Sequence, residues 1–336
     1  MAAFAIFEGQ KRTTSAGDDA QQNGSYSLYE LERQVRTAGS GLVQGKNYGL
    51  WGCVLQARSS GAARLPAGAL ASPFNIWTSS LAMPVLIADG GAGSDVIGVM
   101  GGNPAGRVFK APVTSVPDAT HVIVSNSFGI FANDYLLGTL NDGTCSVGQA
   151  LADPTTLNNV ALNATNSLSA GMANATNLYD LGNAPVLSLF GVNTTTQSLV
   201  TYDLLQRPIA GTAPGAIPIA DGIVQMKALY GVHLTGADPA SIDAWVKPTG
   251  TWSVATLTAS STAANNAVNQ IKAIRVVVVA QSRLPERGNV SGLPITLFSD
   301  LADATLHSTF TPQPQYRYKV YDTTIPVRNS MITKWF

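Results

Sequence analysis

The sequence has few charged residues. Asp, Glu, Lys and Arg make up 12% of its 336 residues and the formal net charge is zero, whereas an average protein carries about 25% charged residues. A protein that binds nucleic acid by neutralising phosphates needs an excess of Lys and Arg, so we expect no nucleic-acid partner. Gly, Ser, Thr, Asn and Ala are abundant instead of charged residues, and this composition favours short strands joined by many turns.

Residues that carry chemistry are also scarce. The three histidines, His121, His233 and His307, lie in no His-Glu-x-x-His or Cys-x-x-Cys setting. No Gly-x-Ser-x-Gly nucleophile elbow occurs. Residues 101–108 have the glycines of a phosphate-binding loop but lack its Lys and its Ser or Thr, so we interpret them as a turn. The sequence therefore predicts no catalytic, cofactor or metal site, and a protein that is not an enzyme.

Two weaker candidates for ligand binding remain. Asp238 and Asp243 lie in one loop, but Pro239 and the apolar residues around it interrupt the alternating oxygen ligands that a calcium loop requires. Tyr316, Tyr318 and Tyr321 could line a binding stripe on the last strand. Packing between neighbouring strands is the simpler interpretation of these aromatics.

The two cysteines, Cys53 and Cys145, allow one disulfide. In an oxidising compartment we expect them to be bonded, whereas in the cytosol they would be buried thiols. The sequence leaves both alternatives open.

The first forty residues predict one long helix. Leu28, Leu31, Val35 and Ala38 recur at steps of three and four residues, which places them on one face. Gly39 begins a Gly-Ser-Gly stop signal. Glu and Arg recur at helical spacing, at 30/33 and 32/36, and we expect these pairs on the side of the helix that faces solvent.

The start of this helix is apolar on all sides. Residues 2–7 read AAFAIF, which we interpret as the cut end of a longer helix. No run of 18 apolar residues and no signal-peptide pattern occurs. Those two absences alone would predict a soluble cytosolic protein, and the apolar stub argues against that prediction.

Most of the remaining chain predicts strands and turns. We expect strands at residues 48–55, 95–100, 121–124, 134–140, 145–150, 186–192, 198–205, 223–232, 273–280 and 315–327. An Asp-Gly hairpin turn is predicted at 141–144, a turn at 90–94 and a helix at 261–272. Residues 57–94 appear loop-like around a buried segment at 83–88, residues 151–178 fit no element, and 208–218 resemble a linker.

Two strands in the last third carry more specific predictions. Residues 273–280 form a continuous apolar run, so we expect them to be covered on both faces. Residues 223–232 alternate, with Val224, Met226 and Ala228 on one face and Gln225 and Lys227 among those on the other.

Four stretches in this order resemble the type IV pilus minor pilin PilW family. They are NGSYSLYELERQVRTAG at 23–39, DGIVQMKALYGV at 221–232, AIRVVV at 273–278 and YRYKVYDTTIPVRN at 316–329. The positions that carry the family motif are Arg36, Gly39, Tyr230, Arg275, Arg317, Arg328 and Asn329. Together the stretches span both ends of the chain, while the middle is matched only loosely.

The resemblance implies an α+β, pilin-like fold in which a long N-terminal helix packs on an antiparallel β-sheet, with a large β-rich insertion. We expect a helical segment at 1–40, a β-rich head at 41–220 and a closing antiparallel sheet at 221–336. Family members begin with a leader and a strongly apolar half-helix, which are absent here. We therefore expect this chain to be a cut, soluble form of a protein anchored in the membrane by that helix.

The resemblance also implies function and partners. It implies a structural subunit that helps to prime pilus assembly and lies at or near the pilus tip. The expected partners are other minor pilins, the major pilin, a tip adhesin and the inner-membrane assembly platform. The expected location is the inner membrane with a periplasmic head, and then the extracellular pilus. A secreted β-rich binding module or adhesin is the alternative, while an enzyme is disfavoured because no set of catalytic residues is present.

Overall fold

The structure is a computed structural model. It describes residues 2–42, 51–59, 62–65, 68–104, 110–154, 158–163, 172, 174–205, 215–234, 241–259, 261–286 and 288–329. Side chains of the first helix are described from residue 17 onward.

Within the described residues the chain forms three α-helices and nineteen strands. The helices are α1 (Ala2–Thr37), α2 (Val254–Leu257) and α3 (Thr262–Gln270). The strands are β1 (Val54–Ser59), β2 (Ala62–Leu65), β3 (Val85–Ala88), β4 (Val96–Gly101), β5 (Lys110–Asp118), β6 (His121–Val124), β7 (Tyr135–Leu140), β8 (Thr144–Gln149), β9 (Asn159–Ala161), β10 (Ala175–Gly182), β11 (Val186–Asn193), β12 (Ser198–Asp203), β13 (Ile217–Asp221), β14 (Ile223–Val232), β15 (Ala244–Val246), β16 (Ile271–Gln281), β17 (Ile295–Leu297), β18 (Ser308–Phe310) and β19 (Tyr318–Pro326).

The long helix α1 packs on a four-stranded antiparallel sheet of order β15-β14-β16-β19. Its contacts fall mainly on β16 and β19. The part of α1 with described side chains, 17–37, has about 21 residues. The predicted α+β architecture, with one N-terminal helix laid on antiparallel sheets, is confirmed at this level.

The central strand β16 is covered on both faces, as its apolar run predicts. Val276 and Val278 share a core with α1, whereas Val277 and Val279 belong to a separate cluster with Leu297 of the β17–β18 hairpin. Because neither face of β16 meets water, the strand needs no alternation of polar side chains.

A second sheet, of order β13-β12-β11-β4-β3, shares the main core with α1 and the first sheet. Every residue of β3 and β4 is buried. The strands predicted at 186–192 and 198–205 are present as β11 and β12, and Asn193 pairs with Ser198 across the turn between them.

The third and largest sheet has the order β2-β1-β8-β7-β10-β5-β6-β9. It curls until β9 meets β8 again through the bridge between Ala150 and Leu162. The backbone N–H of Asn163 also donates to the carbonyl of Gln149 at 2.8 Å. This closure surrounds a second hydrophobic core that includes Val122, Leu136 and other residues separate from the main core.

Several element predictions are wrong in position. Residues 48–50 lie outside the described part, and Trp51 and Gly52 form a turn, so the strand begins at Val54. The region 57–94 contains β2 and β3 rather than loop alone. Part of 151–178 forms β9 and part of β10. Apolar and polar residues do not alternate clearly in these segments, so the sequence did not predict the strands. Their pairing with neighbouring strands defines them in the structure.

Two boundaries in the last third also differ. The helix predicted at 261–272 ends at Gln270, because Ile271 already pairs with Val232 in the sheet. The final strand begins at Tyr318 instead of residue 315, since Tyr316 donates its N–H to the carbonyl of Gln313 in a turn.

Candidate functional site

The candidate site is the seam between α1 and the four-stranded sheet. Leu31, Val35 and Ala38 have no exposed surface, and Leu28 is partly buried against the same core. Removing this apolar stripe from water is the largest contribution that the helix face makes to stability. The seam is therefore a rigid surface that fixes the direction of α1.

One glycine sets how closely the helix approaches the sheet. A Cβ on Gly24 would lie 2.2 Å from Cε2 of Tyr321, on β19. Such a distance is far inside van der Waals contact, so the Tyr321 ring can lie against the helix only where a side chain is missing. Beside it, the Lys319 ammonium donates to Gln21 Oε1 at 2.9 Å.

The opposite side of α1 faces solvent. Arg33 donates to Glu30 at 2.7 Å, and Arg36 forms an ion pair with Glu32. These exposed pairs stabilise the helix by only a few tenths of a kcal/mol each. Tyr29, 59% exposed, lies on this side.

The C-terminal end of α1 is fastened at Gly39. This residue has φ of +80°, which favours glycine, and its N–H donates to the carbonyl of Met100 at 2.8 Å. Asn329 donates its side-chain amide to the carbonyl of Ala38 at 2.7 Å. The predicted motif residues Gly39 and Asn329 thus meet here, while Arg328 is exposed.

Tyr230 connects the two sheets of the main core. It is fully buried on β14, and its hydroxyl accepts a hydrogen bond from the backbone N–H of Ile87, in β3, at 2.6 Å. Burial raises the pKa of the Tyr230 hydroxyl above its usual range. The phenol therefore stays neutral and satisfies an edge N–H that would otherwise be buried without a partner.

The two other arginines of the motif make ion pairs. Arg275 donates to Asp322 at 3.0 Å and to both carboxylate oxygens of Asp300 at 2.9 Å. These bonds raise the pKa of the guanidinium. The same guanidinium lies 5.5 Å from the centroid of Phe298. Arg317 pairs with Glu286 at 3.0 Å. Both arginines hold the chain between β16 and β19 against the sheet.

The two cysteines are bonded, with their Cα atoms 5.7 Å apart. Cys53 lies just before β1, and Cys145 lies in β8, which pairs with β1 in parallel. The bond joins residues that are 92 positions apart in the sequence. It lies beside the main core, in which Cys145 is buried.

The residues considered for chemistry do not converge. His121 lies 3.0 Å from Asp118, His233 lies 3.8 Å from Asp243, and the third histidine bonds a nearby carbonyl. Asp238 falls outside the described residues. Within the described part of the chain, no group of three or more His, Cys, Asp and Glu side chains could hold a metal ion.

The tyrosines at 316, 318 and 321 do not form the binding stripe that the sequence analysis gave as the alternative to packing. Tyr318 packs edge-on against Phe310 at 5.2 Å between ring centroids, on the hairpin side of the sheet. Tyr321 points to the helix side, where Gly24 lies, and Tyr316 precedes the strand. Packing explains these aromatics.

Sequence reasoning missed a buried ion pair. The sequence predicted only that Gln225 and Lys227 alternate with Met226 and Ala228 along β14. In the structure both polar side chains are buried beneath the loop that joins β3 to β4. Lys227 bonds Asp95, whose side chain is almost completely buried. Burial raises the pKa of Asp95 to about 6, while the ammonium and the N–H groups of Gly90 and Ala228 oppose that rise. The glycine-rich turn at 90–94 was the sequence feature that could have indicated this buried ion pair.

A second buried carboxylate was also missed. Asp180, on β10, accepts the N–H of Gly182 at 2.7 Å, and burial raises its pKa to about 6. The negative charge of Asp134 contributes to this rise. The other carboxylate oxygen of Asp180 is buried and has no hydrogen-bond partner among the residues that the structure describes.

Comparison with known proteins adds one match by sequence family. The family model described as Type IV Pilus-assembly protein W, PilW, matches residues 190–329. Residues 190–329, which match this family model, are called the PilW segment below. The predicted resemblance is confirmed there, and the match supports a type IV pilus-related protein. No curated protein matches the chain.

Among solved structures, a type IV-like pilin from Thermus thermophilus is similar at 13% identity. The similarity covers 60% of this chain and 85% of that one, with a TM-score of 0.27, too low to compare the folds in detail. In the described residues, no helix combines the length and the apolarity required to cross a membrane.

The PilW segment contributes most of the seam. It contains β14, β16 and β19, and it reaches the rest of the chain through specific bonds. Tyr230 bonds β3 and Lys227 bonds the loop that follows it. Phe190 pairs with Ile97 of β4, and Asn329 bonds the carbonyl of Ala38 at the end of α1. The helix and the PilW segment thus share one core.

Proposed function

We propose that the protein is a minor pilin, a structural subunit of a type IV pilus. The observation that carries this proposal is the PilW match over residues 190–329, whose strands form the sheet beneath α1. In a pilin-like arrangement, the helix directs the subunit into the filament and the sheet presents the head. Catalysis plays no part in this function, which depends on packing.

The proposal extends to place and partners. We infer that the subunit helps to prime pilus assembly and then lies at or near the tip, with other minor pilins and next to the major pilin. The inner-membrane assembly platform and a tip adhesin complete the set of partners. A location at the inner membrane with the head in the periplasm, before assembly into the extracellular pilus, is part of the same proposal.

The test is loss and restoration of pili. Deleting the gene should reduce the number of surface pili seen by electron microscopy and should abolish twitching motility, and the wild-type gene should restore both. Gold-labelled antibodies against the head should mark filament ends. Normal pili in the deletion strain would overturn the priming role, and labelling along the whole filament would overturn the tip location.

An adhesin is the second candidate, favoured by one surface. Phe128, Phe131 and Leu151 are 74%, 49% and 57% exposed around the second core. The loops that carry them are linked, since Ala132 donates its N–H to Asp153 at 2.7 Å. Exposed apolar side chains in a group indicate a contact surface. Binding of the isolated head to host cells or a glycan array, lost in Phe128→Ser with Phe131→Ser, would support this function.

A further inference from the structure

The loop of residues 89–95 encloses an ammonium group. Lys227 Nζ donates to the carbonyls of Gly91 at 3.1 Å and Gly93 at 3.3 Å. It lies 3.4 Å from Asp89 Oδ1 and bonds Asp95 Oδ1. The lysine side chain is 7% exposed and that of Asp95 is 1% exposed. Four oxygens from one short loop therefore converge on one buried positive charge.

This set of oxygens is of the kind that binds calcium. Hard divalent cations take carboxylate and backbone carbonyl oxygens, and both are present here in pairs. Residues 90–98 read GGAGSDVIG, which matches the Gly-Gly-x-Gly-x-Asp-x-apolar-x repeat of calcium-binding β-helices. Here a single copy of the pattern occurs at the end of a strand, and a lysine occupies its centre.

The backbone of the loop is built for this convergence. Gly91 has φ of +61°, and a Cβ on Gly90 would lie 2.0 Å from the carbonyl oxygen of Ser94. Only glycine permits a path tight enough to aim successive carbonyls inward. Gln225 holds the outer side, since its side-chain amide donates to the carbonyl of Gly93 at 3.2 Å.

We propose that residues 89–95 form a calcium-type site in which the Lys227 ammonium takes the place of the metal ion. The two carboxylates and the ammonium together carry a net charge of −1. A divalent cation in place of the ammonium would give a net charge of zero. Lys227 comes from the PilW segment and the loop does not. The internal cation thus fastens the two parts of the chain without any requirement for calcium.

The test removes the internal cation. Lys227→Met keeps the apolar stem and leaves two carboxylates facing each other, so the variant should melt at a lower temperature than wild type in EDTA. Calcium at about 10 mM exceeds the millimolar dissociation constants of weak oxygen sites. It should therefore raise the melting temperature of Lys227→Met by about 2 °C or more, because it binds only the folded state. Wild type should not respond.

A double variant supplies the control. Lys227→Met with Asp95→Asn should bind calcium at least about tenfold more weakly in calorimetry, since a ligand charge is lost. Lys110→Met, at an exposed lysine on β5, should behave as wild type does. If Lys227→Met fails to fold, refolding should succeed with calcium and fail without it. A calcium response that is absent from Lys227→Met, or equal in wild type, would overturn the proposal, as would failure to refold under both conditions.

Discussion

Replacing Leu31 by Asp should reveal whether the seam holds the helix. Leu31 has no exposed surface and shares its core with β16. Loss of a buried Leu costs about 2–5 kcal/mol, and an unpaired polar group in that space adds about 1–3 kcal/mol. We therefore expect Leu31→Asp to lower the free energy of unfolding by roughly 4–6 kcal/mol, a large part of the 5–15 kcal/mol typical of proteins. Urea denaturation followed by tryptophan fluorescence measures this loss.

Adjacent positions on the same helix provide matched controls. Glu32→Ala removes only the exposed pair with Arg36, so it should cost less than about 0.5 kcal/mol. Tyr29→Asp introduces the same side chain as the test variant at a position that is 59% exposed, and should cost little. Equal, small losses in Leu31→Asp and Glu32→Ala would refute the packing of α1 through its Leu31 face.

Three further predictions concern the disulfide, the hydrogen bond of Tyr230 and the titration of Asp180. Titration of the unfolded, unreduced protein should find no free thiol, and Cys53→Ser with Cys145→Ser should lower stability by about 4 kcal/mol, since a loop of 92 residues is released; two free thiols would contradict the bond. Tyr230→Phe should cost about 1–3 kcal/mol in denaturant titration because the N–H of Ile87 loses its acceptor. The raised pKa of Asp180 means that the folded state binds the proton more tightly, so stability should fall as pH rises from about 4 through about 6. Asp180→Asn should reduce this fall of the melting temperature with pH, and the part that remains belongs to Asp95, whose pKa is also raised to about 6.

Controls separate these effects from general damage. Tyr29→Phe removes an exposed hydroxyl and should leave stability unchanged. Asp142→Asn alters a carboxylate whose pKa is lowered by hydrogen bonds from Thr144, so it should leave the fall between pH 4 and 6 in place. A flat profile in wild type would contradict the raised pKa of Asp180.

The spacing of apolar residues fixed the elements that bury one continuous surface. The Leu31 stripe predicted the packing face of α1, and the run at 273–280 predicted a strand covered on both faces. Both signals are local, because the periods of 3.6 and 2 residues follow from backbone geometry alone. The family motif at Gly39 and Asn329 could be located in the sequence, but their meeting at the helix end could not.

Contacts between distant residues were decided only by the tertiary structure. Lys227 appears as a surface residue in an alternating strand until the loop before β4 covers it, 132 positions away in sequence. The pKa of Asp180 rises to about 6 only because burial removes the hydration of its carboxylate. Gly24 is a poor helix former, and only the tertiary structure shows that the Tyr321 ring occupies the space of its missing side chain. The sequence by itself determined which segments are helix or buried strand, and the three-dimensional packing decided which polar groups would lose water and which partners would replace it.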